Sequence, residues 1–145
     1  MFNPLQEIKV ANAVTPAAVN GAVTPVAVDV HGVGAQWLRF VVHSAAHSAA
    51  LAAAVSVTEC DTSGGTYNTF TGGSDATVVS TSSWVAGSMV VYDLHWSGAR
   101  KRYAKVNFST GSSIVVGATA HLAGLTNAPQ NATELGALEW VKASG

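Results

Sequence analysis

His43 and His47 stand four positions apart, a spacing that on a helix places both imidazoles on one face and offers two ligands to a metal ion. No carboxylate or cysteine lies at a helpful local spacing. Ser44 also stands where a His-Glu-x-x-His metalloprotease motif needs glutamate, so no metal site is expected and the pair reads as surface histidines at a strand end and loop. His31, His95 and His121 fall in strands or at strand ends, where imidazoles usually serve as hydrogen-bonding groups. The single cysteine, Cys60, lies between Glu59 and Asp61, a negative setting that disfavours the thiolate a nucleophile needs. It reads as a small apolar residue packed where a strand ends. Serines are abundant, but there is no Gly-x-Ser-x-Gly elbow, no Walker motif and no Gly-x-Gly-x-x-Gly after a strand. The expectation is a non-enzymatic protein with no catalytic residues, no metal and no cofactor.

The densest charge lies at Arg100, Lys101, Arg102 and Lys105, four of the seven Lys and Arg residues. Such a cluster can bind phosphates, dock on an acidic protein surface or simply be solvated. Alternation along a strand separates Arg102 from Lys105, and the net charge of −1 provides no global field for nucleic acid or an anionic membrane. Neither is expected as a direct partner. The four tryptophans, Trp37, Trp84, Trp96 and Trp140, read as core or interface anchors, with a sugar platform as the alternative.

The elements that must position these residues are strands. Runs rich in valine, threonine and aromatics recur between Gly, Pro, Asn and Ser clusters, which predicts an all-β, antiparallel sandwich of about eight strands, of jelly-roll type. At 145 residues the chain fits one domain, with 1–12 read as an extended N-terminal arm and 126–145 as a C-terminal tail. Leu5 to Val14 alternates until Thr15-Pro16 and Asn20-Gly21 interrupt it. Val23 to His31 predicts a strand with Val26, Val28 and Val30 on one face. In Gln36 to Ser44, Leu38, Phe40 and Val42 face the core and Trp37, Arg39, Val41 and His43 oppose them. The alanine-rich stretch at 44–54 reads as one short helix or a long loop. Val55 to Asp61 and Thr66 to Thr71 form a hairpin around Ser63-Gly64-Gly65. Ala76 to Ser80 is a weak strand, and Ser88 to Trp96 a strong one that sets Val91, Asp93 and His95 against Val90, Tyr92, Leu94 and Trp96. Arg102 to Ser109 and Ser112 to Leu122 form the last pair, joined at Thr110-Gly111, and a short segment from Leu135 to Val141 follows.

Charged residues make up only 10% of the chain, against roughly 25% in an average soluble domain, and hydrophobic residues 48%. A surface so poor in charge is weakly defended against strand-edge pairing and reads as one meant to be covered. The opening MFNPLQEIKV lacks the basic and apolar regions of a signal peptide, and no apolar run reaches membrane-spanning length.

Two stretches carry a likeness. VAVDVHGVGAQWLRFVV followed by VSVTECDTSGGTYNTFTGG has a strand that ends in an acidic pair and enters a Gly-Thr-Tyr hairpin, and SGARKRYAKVNFSTGSSIVVGATAHLAG adds a Lys-Arg-Tyr strand and a glycine turn. Together, over residues 23–125, they resemble the decoration or cement proteins of tailed-bacteriophage heads, some of them jelly rolls. The resemblance implies a virion structural protein, made in the host cytoplasm, that binds the outer surface of an HK97-fold capsid and cements neighbouring capsomers. The implied partners are the major capsid protein and further copies of the chain, as a dimer in preference to a trimer. Contacts with the capsid would fall to Met1, Phe2, Leu5, Ile8 and Val10 in the arm, and to Arg100, Lys101, Arg102 and Lys105. A carbohydrate-binding module of a phage tail or fibre, using Trp37, Trp84 or Trp96, is the alternative, and a hydrolase built on Cys60 or a histidine pair is the third reading.

Overall fold

Valine and alanine alternate with polar residues through most of the chain, and a period of two is buried efficiently only by strands. A computed structural model describes residues 8–45, 51–70, 89–96 and 98–125, with the backbone alone at 51–54. Its strands are β1 (Ile8–Ala22), β2 (Val28–Asp29), β3 (Trp37–Ser44), β4 (Leu51–Cys60), β5 (Asn68–Thr69), β6 (Met89–His95) and β7 (Tyr103–Ala123). Every pairing is antiparallel. The order is β5-β4-β7-β3-β6, and β1 and β2 also pair with β7. The protein is all-β, a curled antiparallel sheet whose two leaves close on one apolar core.

β7 belongs to both leaves. Its first part pairs with β4 and β2, from Cys60↔Tyr103 and Asp29↔Tyr103 onward, and its second part with β3 and β1, ending at Trp37↔Ala123 and Ile8↔Ala123. Ala104, Val106, Phe108 and Thr110 are buried before the bend, and Ile114, Val116, Ala118, Ala120 and Leu122 after it. One face of a single strand therefore stays inside throughout. Leu38, Phe40 and Val42 of β3 and Val55 and Val57 of β4 complete the cluster with Val28, Val30 and Trp96.

The bend is marked by shifts of register. β1 steps from Val19↔Ile114 to Gly21↔Thr110, so that residues 111–113 bulge out of the ladder. Gly21 has φ +109°, a conformation that other residues rarely adopt, and here the side chain of Thr110 takes over from the backbone. Its hydroxyl donates to the Val19 carbonyl at 2.7 Å and accepts from the Gly21 amide at 3.2 Å. A bridge between Val14 and Pro25, with the Val26 amide donating to the Ala13 carbonyl at 2.8 Å, shows the long ribbon lying against itself. This contact requires the ribbon to be folded over.

The inward set predicted for β3, the two alternating sets of β6, and the hairpin of β4 and β5 stand as read. Several other expectations are corrected. Thr110-Gly111 does not join two strands, because both flanking strands find partners across the bend and the chain remains a single strand of 21 residues. Thr15-Pro16 does not end β1; it is absorbed in a bulge between Val14↔Ala118 and Ala17↔Val116, where a residue without an amide hydrogen costs no ladder bond. Consequently Ile8 and Val10, read as part of the arm, lie in the sheet opposite Ala123 and His121. Of the expected 23–31 strand, Val28 and Asp29 alone form a ladder, with Pro25 in an isolated bridge, and Val26 is exposed while Val28 and Val30 are buried. The alanine run is neither helix nor loop at 51–54, which belong to β4, since pairing with β7 outweighs the helix preference of alanine. Ala76 to Ser80, Leu135 to Val141 and the C-terminal tail lie outside the described residues.

Thr110 is buried, so Thr110→Val keeps the shape and strands the Val19 carbonyl and the Gly21 amide. Urea titration should show a loss of about 1–3 kcal/mol for this variant, the range for buried polar groups left without partners.

Candidate functional site

Two places gather the chemistry-bearing side chains. The first is the end of the fold where β6 gives way to β7. Trp96, immediately after β6, is buried; its amide donates to the Gln36 carbonyl at 2.8 Å and its indole Nε1 to the Lys101 carbonyl at 3.0 Å. Phe70 meets it edge-on at 5.6 Å. A tryptophan enclosed in this way anchors the turn, which rules it out as the sugar platform considered for it.

The basic cluster, with Arg100, Lys101 and Arg102 on that turn and Lys105 at the start of β7, has a partner for every cation. Arg102 forms a bidentate pair with Asp29, Nε to Oδ1 at 3.0 Å and Nη2 to Oδ2 at 2.8 Å. Lys101 pairs with Asp61. Arg100 lies 3.9 Å from Glu59 and 4.1 Å above the Phe70 ring, while Lys105 lies 4.1 Å above the Tyr67 ring. Glu59 is itself buried, and its Oε2 accepts the Lys101 amide at 3.0 Å. Three carboxylates brought from other elements thus offset a cluster that looks uncompensated in the sequence. The Arg102 guanidinium, helped by the Gly32 amide, holds the Asp29 carboxyl below its usual range against the opposing effect of burial.

The second place is the outer face of the leaf β6-β3-β7-β1. Register places His95, Trp37, Ala123 and Ile8 in one cross-strand row, and Asp93, Arg39, His121 and Val10 in the next. Beyond them come Val91, Val41 and Thr119, then Met89 and His43. Trp37 is 53% exposed and leans on the His95 ring at 4.7 Å. Arg39 holds Asp93 bidentately, Nε to Oδ1 at 2.6 Å and Nη2 to Oδ2 at 2.8 Å, which lowers the pKa of that carboxyl. His121 lies 3.2 Å from the Thr119 hydroxyl, and burial followed by the nearby Arg39 charge lowers its pKa. Ile8, Trp37, Arg39, Asp93, His121 and Ala123 line a depression of about 450 Å³ whose surface is mostly apolar.

The other sequence candidates disperse. His43 lies in β3 rather than on a helix, which removes the geometry assumed for a pair with His47; His47, Met1, Phe2, Leu5, Trp84 and Trp140 lie outside the described residues. Cys60 closes β4, buried, with its sulfur 3.8 Å from the Thr62 hydroxyl. His31 Nε2 meets the Arg100 carbonyl at 2.8 Å. Among the described residues, no three His, Cys, Asp or Glu side chains come together as a metal-holding group. Asp93 and His121 were missed as companions of Trp37 and Arg39. Alternation within β3 and β6 gives the outward sets, but only the register across strands brings them into one place. No family model matches the chain, and no curated protein or solved structure shows a significant match to it.

Two outcomes follow from these contacts. Glu59→Ala leaves the Lys101 amide without its acceptor and Arg100 without its carboxylate, and a loss of about 1–3 kcal/mol is expected on thermal or urea unfolding. The depressed His121 pKa means that the unfolded chain takes up a proton that the folded chain resists, so stability should fall as the pH is lowered from 7.5 through the ordinary histidine value of about 6.5. Asp29 and Asp93, also depressed, add a second loss below about pH 4, as they protonate. Urea midpoints measured from pH 7.5 to 5 should drop, and His121→Gln should flatten that drop while leaving the more acidic one.

Proposed function

We propose that the protein is a non-enzymatic structural module that is covered on its β6 side by another protein, and that the surface it covers is the outside of a tailed-phage head. The observation that carries the first half is the character of β6. It is the last strand of the sheet order among the described residues, yet its only charge, Asp93, is tied to Arg39, and Met89 and Val91 are 66% and 51% exposed on its outer face. Outermost strands are normally protected by lysine, proline or unpaired charge. This one has none of these, which suits a strand that is buried on assembly.

The phage head comes from the sequence resemblance, carried by the segments around Glu59-Cys60-Asp61 and Lys101-Arg102-Tyr103. The ion pairs favour a different weighting of the proposed contacts. With Arg100, Lys101 and Arg102 already paired, recognition rests on shape and apolar contact more than on a basic patch meeting an acidic one. Covering a few hundred Å² of apolar surface contributes several kcal/mol before association costs, at about 25 cal/mol per Å². A weak contact of this kind becomes effective when many copies bind one lattice or when copies pair before docking.

Added to heads assembled without it, the purified chain should bind at regular positions that can be counted by cryo-electron microscopy. The double variant Met89→Ser, Val91→Thr, altered only at exposed positions, should lower occupancy severalfold while its thermal unfolding stays unchanged. Failure of the unaltered chain to bind such heads rejects the phage assignment, and full occupancy by the double variant rejects the role of β6.

A further inference from the structure

The depression beside Trp37 adjoins the Met89–Val91 strip without including it: Asp93, which lines it, and Val91 are two residues apart on one face of β6, about 7 Å. Its chemistry also differs from that of a simple apolar contact. On one side lie the half-exposed Trp37 ring, Ile8 and Ala123; on the other, the Arg39–Asp93 pair and His121. In the pair each partner satisfies only part of the other. Asp93 uses one lone pair on each oxygen towards Arg39, and the guanidinium, which carries five N–H donors, spends two. Spare acceptors and spare donors therefore lie side by side in a fork that is locked before any ligand arrives. Both residues are about half exposed, at 55% and 53% of the side chain, so the unused groups reach solvent.

The electrical balance narrows the ligand. Arg39 and Asp93 cancel, and His121 is held towards its neutral form, so the depression selects for neither an anion nor a cation. A ligand that suits it is uncharged, presents an apolar face to an indole and has adjacent hydroxyl groups that can donate to a carboxylate and accept from a guanidinium. A pyranose has this constitution, with C–H groups on one face and vicinal hydroxyls at its edge. A volume of about 450 Å³ falls within the usual range for small-ligand sites and accommodates one or two sugar units.

We propose that the depression formed by Trp37, Arg39, Asp93, His121, Ile8 and Ala123 is a binding site for a neutral saccharide, with Trp37 as the stacking platform and the Arg39–Asp93 fork as the hydroxyl-reading group. It does not depend on the phage-head assignment and places no demand on β6 beyond Asp93.

The test uses the purified full-length chain on an array of neutral gluco-, galacto- and manno-oligosaccharides beside sialylated and sulfated ones, followed by titration of the best neutral oligosaccharide with readout by tryptophan fluorescence and amide chemical shifts. Saturable binding to a neutral oligosaccharide is expected, with shifts at Arg39, Asp93 and His121. Trp37→Ala and Asp93→Ala should each weaken it at least about tenfold, whereas Met89→Ser with Val91→Thr should leave it unchanged. Because Trp37 and Asp93 are exposed, both variants should fold, and thermal unfolding verifies this; Trp37→Phe, which keeps an aromatic face, should bind with intermediate strength. Absence of binding to any neutral oligosaccharide at millimolar concentration, preference for the acidic ones, or equal binding by Trp37→Ala overturns the proposal. A chain that decorates heads but binds no glycan would overturn this site alone.

Discussion

The rest of the structure depends on the inner face of β7 remaining apolar on both sides of a bend. Its buried positions recur at every second residue from Ala104 to Thr110 and again from Ile114 to Leu122, and all four of its partners in the two leaves take their register from it. Residues 111–113 carry the change of direction. Small residues make the second part workable: Gly117 lies where an added Cβ would come within 3.1 Å of Pro16 and of His43, so the strand can pass closely beneath the β1 bulge. The bend at 111–113 and the proline bulge opposite Val116–Ala118 are two separate irregularities of the same β1–β7 ladder.

Charge is arranged to the same end. The chain has few ionisable groups, and those gathered at the turn before β7 are spent on one another: Arg102 on Asp29, Lys101 on Asp61, and Arg100 with the Lys101 amide on Glu59. Exposed ion pairs of this kind contribute little to stability individually. Their larger effect is to fix the 98–102 segment against β2, β4 and the turn after β4 and to cancel the local field, leaving exposed valine, methionine and tryptophan to set the character of the surface. The Arg39–Asp93 pair does the same on the outer face of β3 and β6, where it also supplies polar groups beside Trp37.

Much of the fold was legible because alternation is a local property. Leu38, Phe40 and Val42 against Trp37, Arg39 and Val41 gave β3 and its inward side, and the turn chemistry of Ser63-Gly64-Gly65 gave the hairpin of β4 and β5. The errors arose where tertiary pairing overrode a local signal. Thr110-Gly111 resembles a turn, yet Thr110 finds its partners in Val19 and Gly21, some 90 residues away, and the strand continues. Alanine favours helix in isolation, but residues 51–54 have a strand beside them. The candidate site was half legible for the same reason. Sequence placed Trp37 with Arg39, and Asp93 with His95, on common faces; which face met which was decided by a register between strands that no local pattern encodes.

The position of β7 in the gene bears on how the molecule is made. β1 and β2 pair only with β7 among the described strands, and β3 and β4 depend on it for one side each, yet β7 lies at residues 103–123. A ribosome therefore releases β1 to β6 before the strand that organises them has emerged, so the ladder cannot close until β7 is out. Until then, the nascent polypeptide holds long valine-rich segments that lack their eventual neighbours, and that interval is when they are most open to wrong pairing.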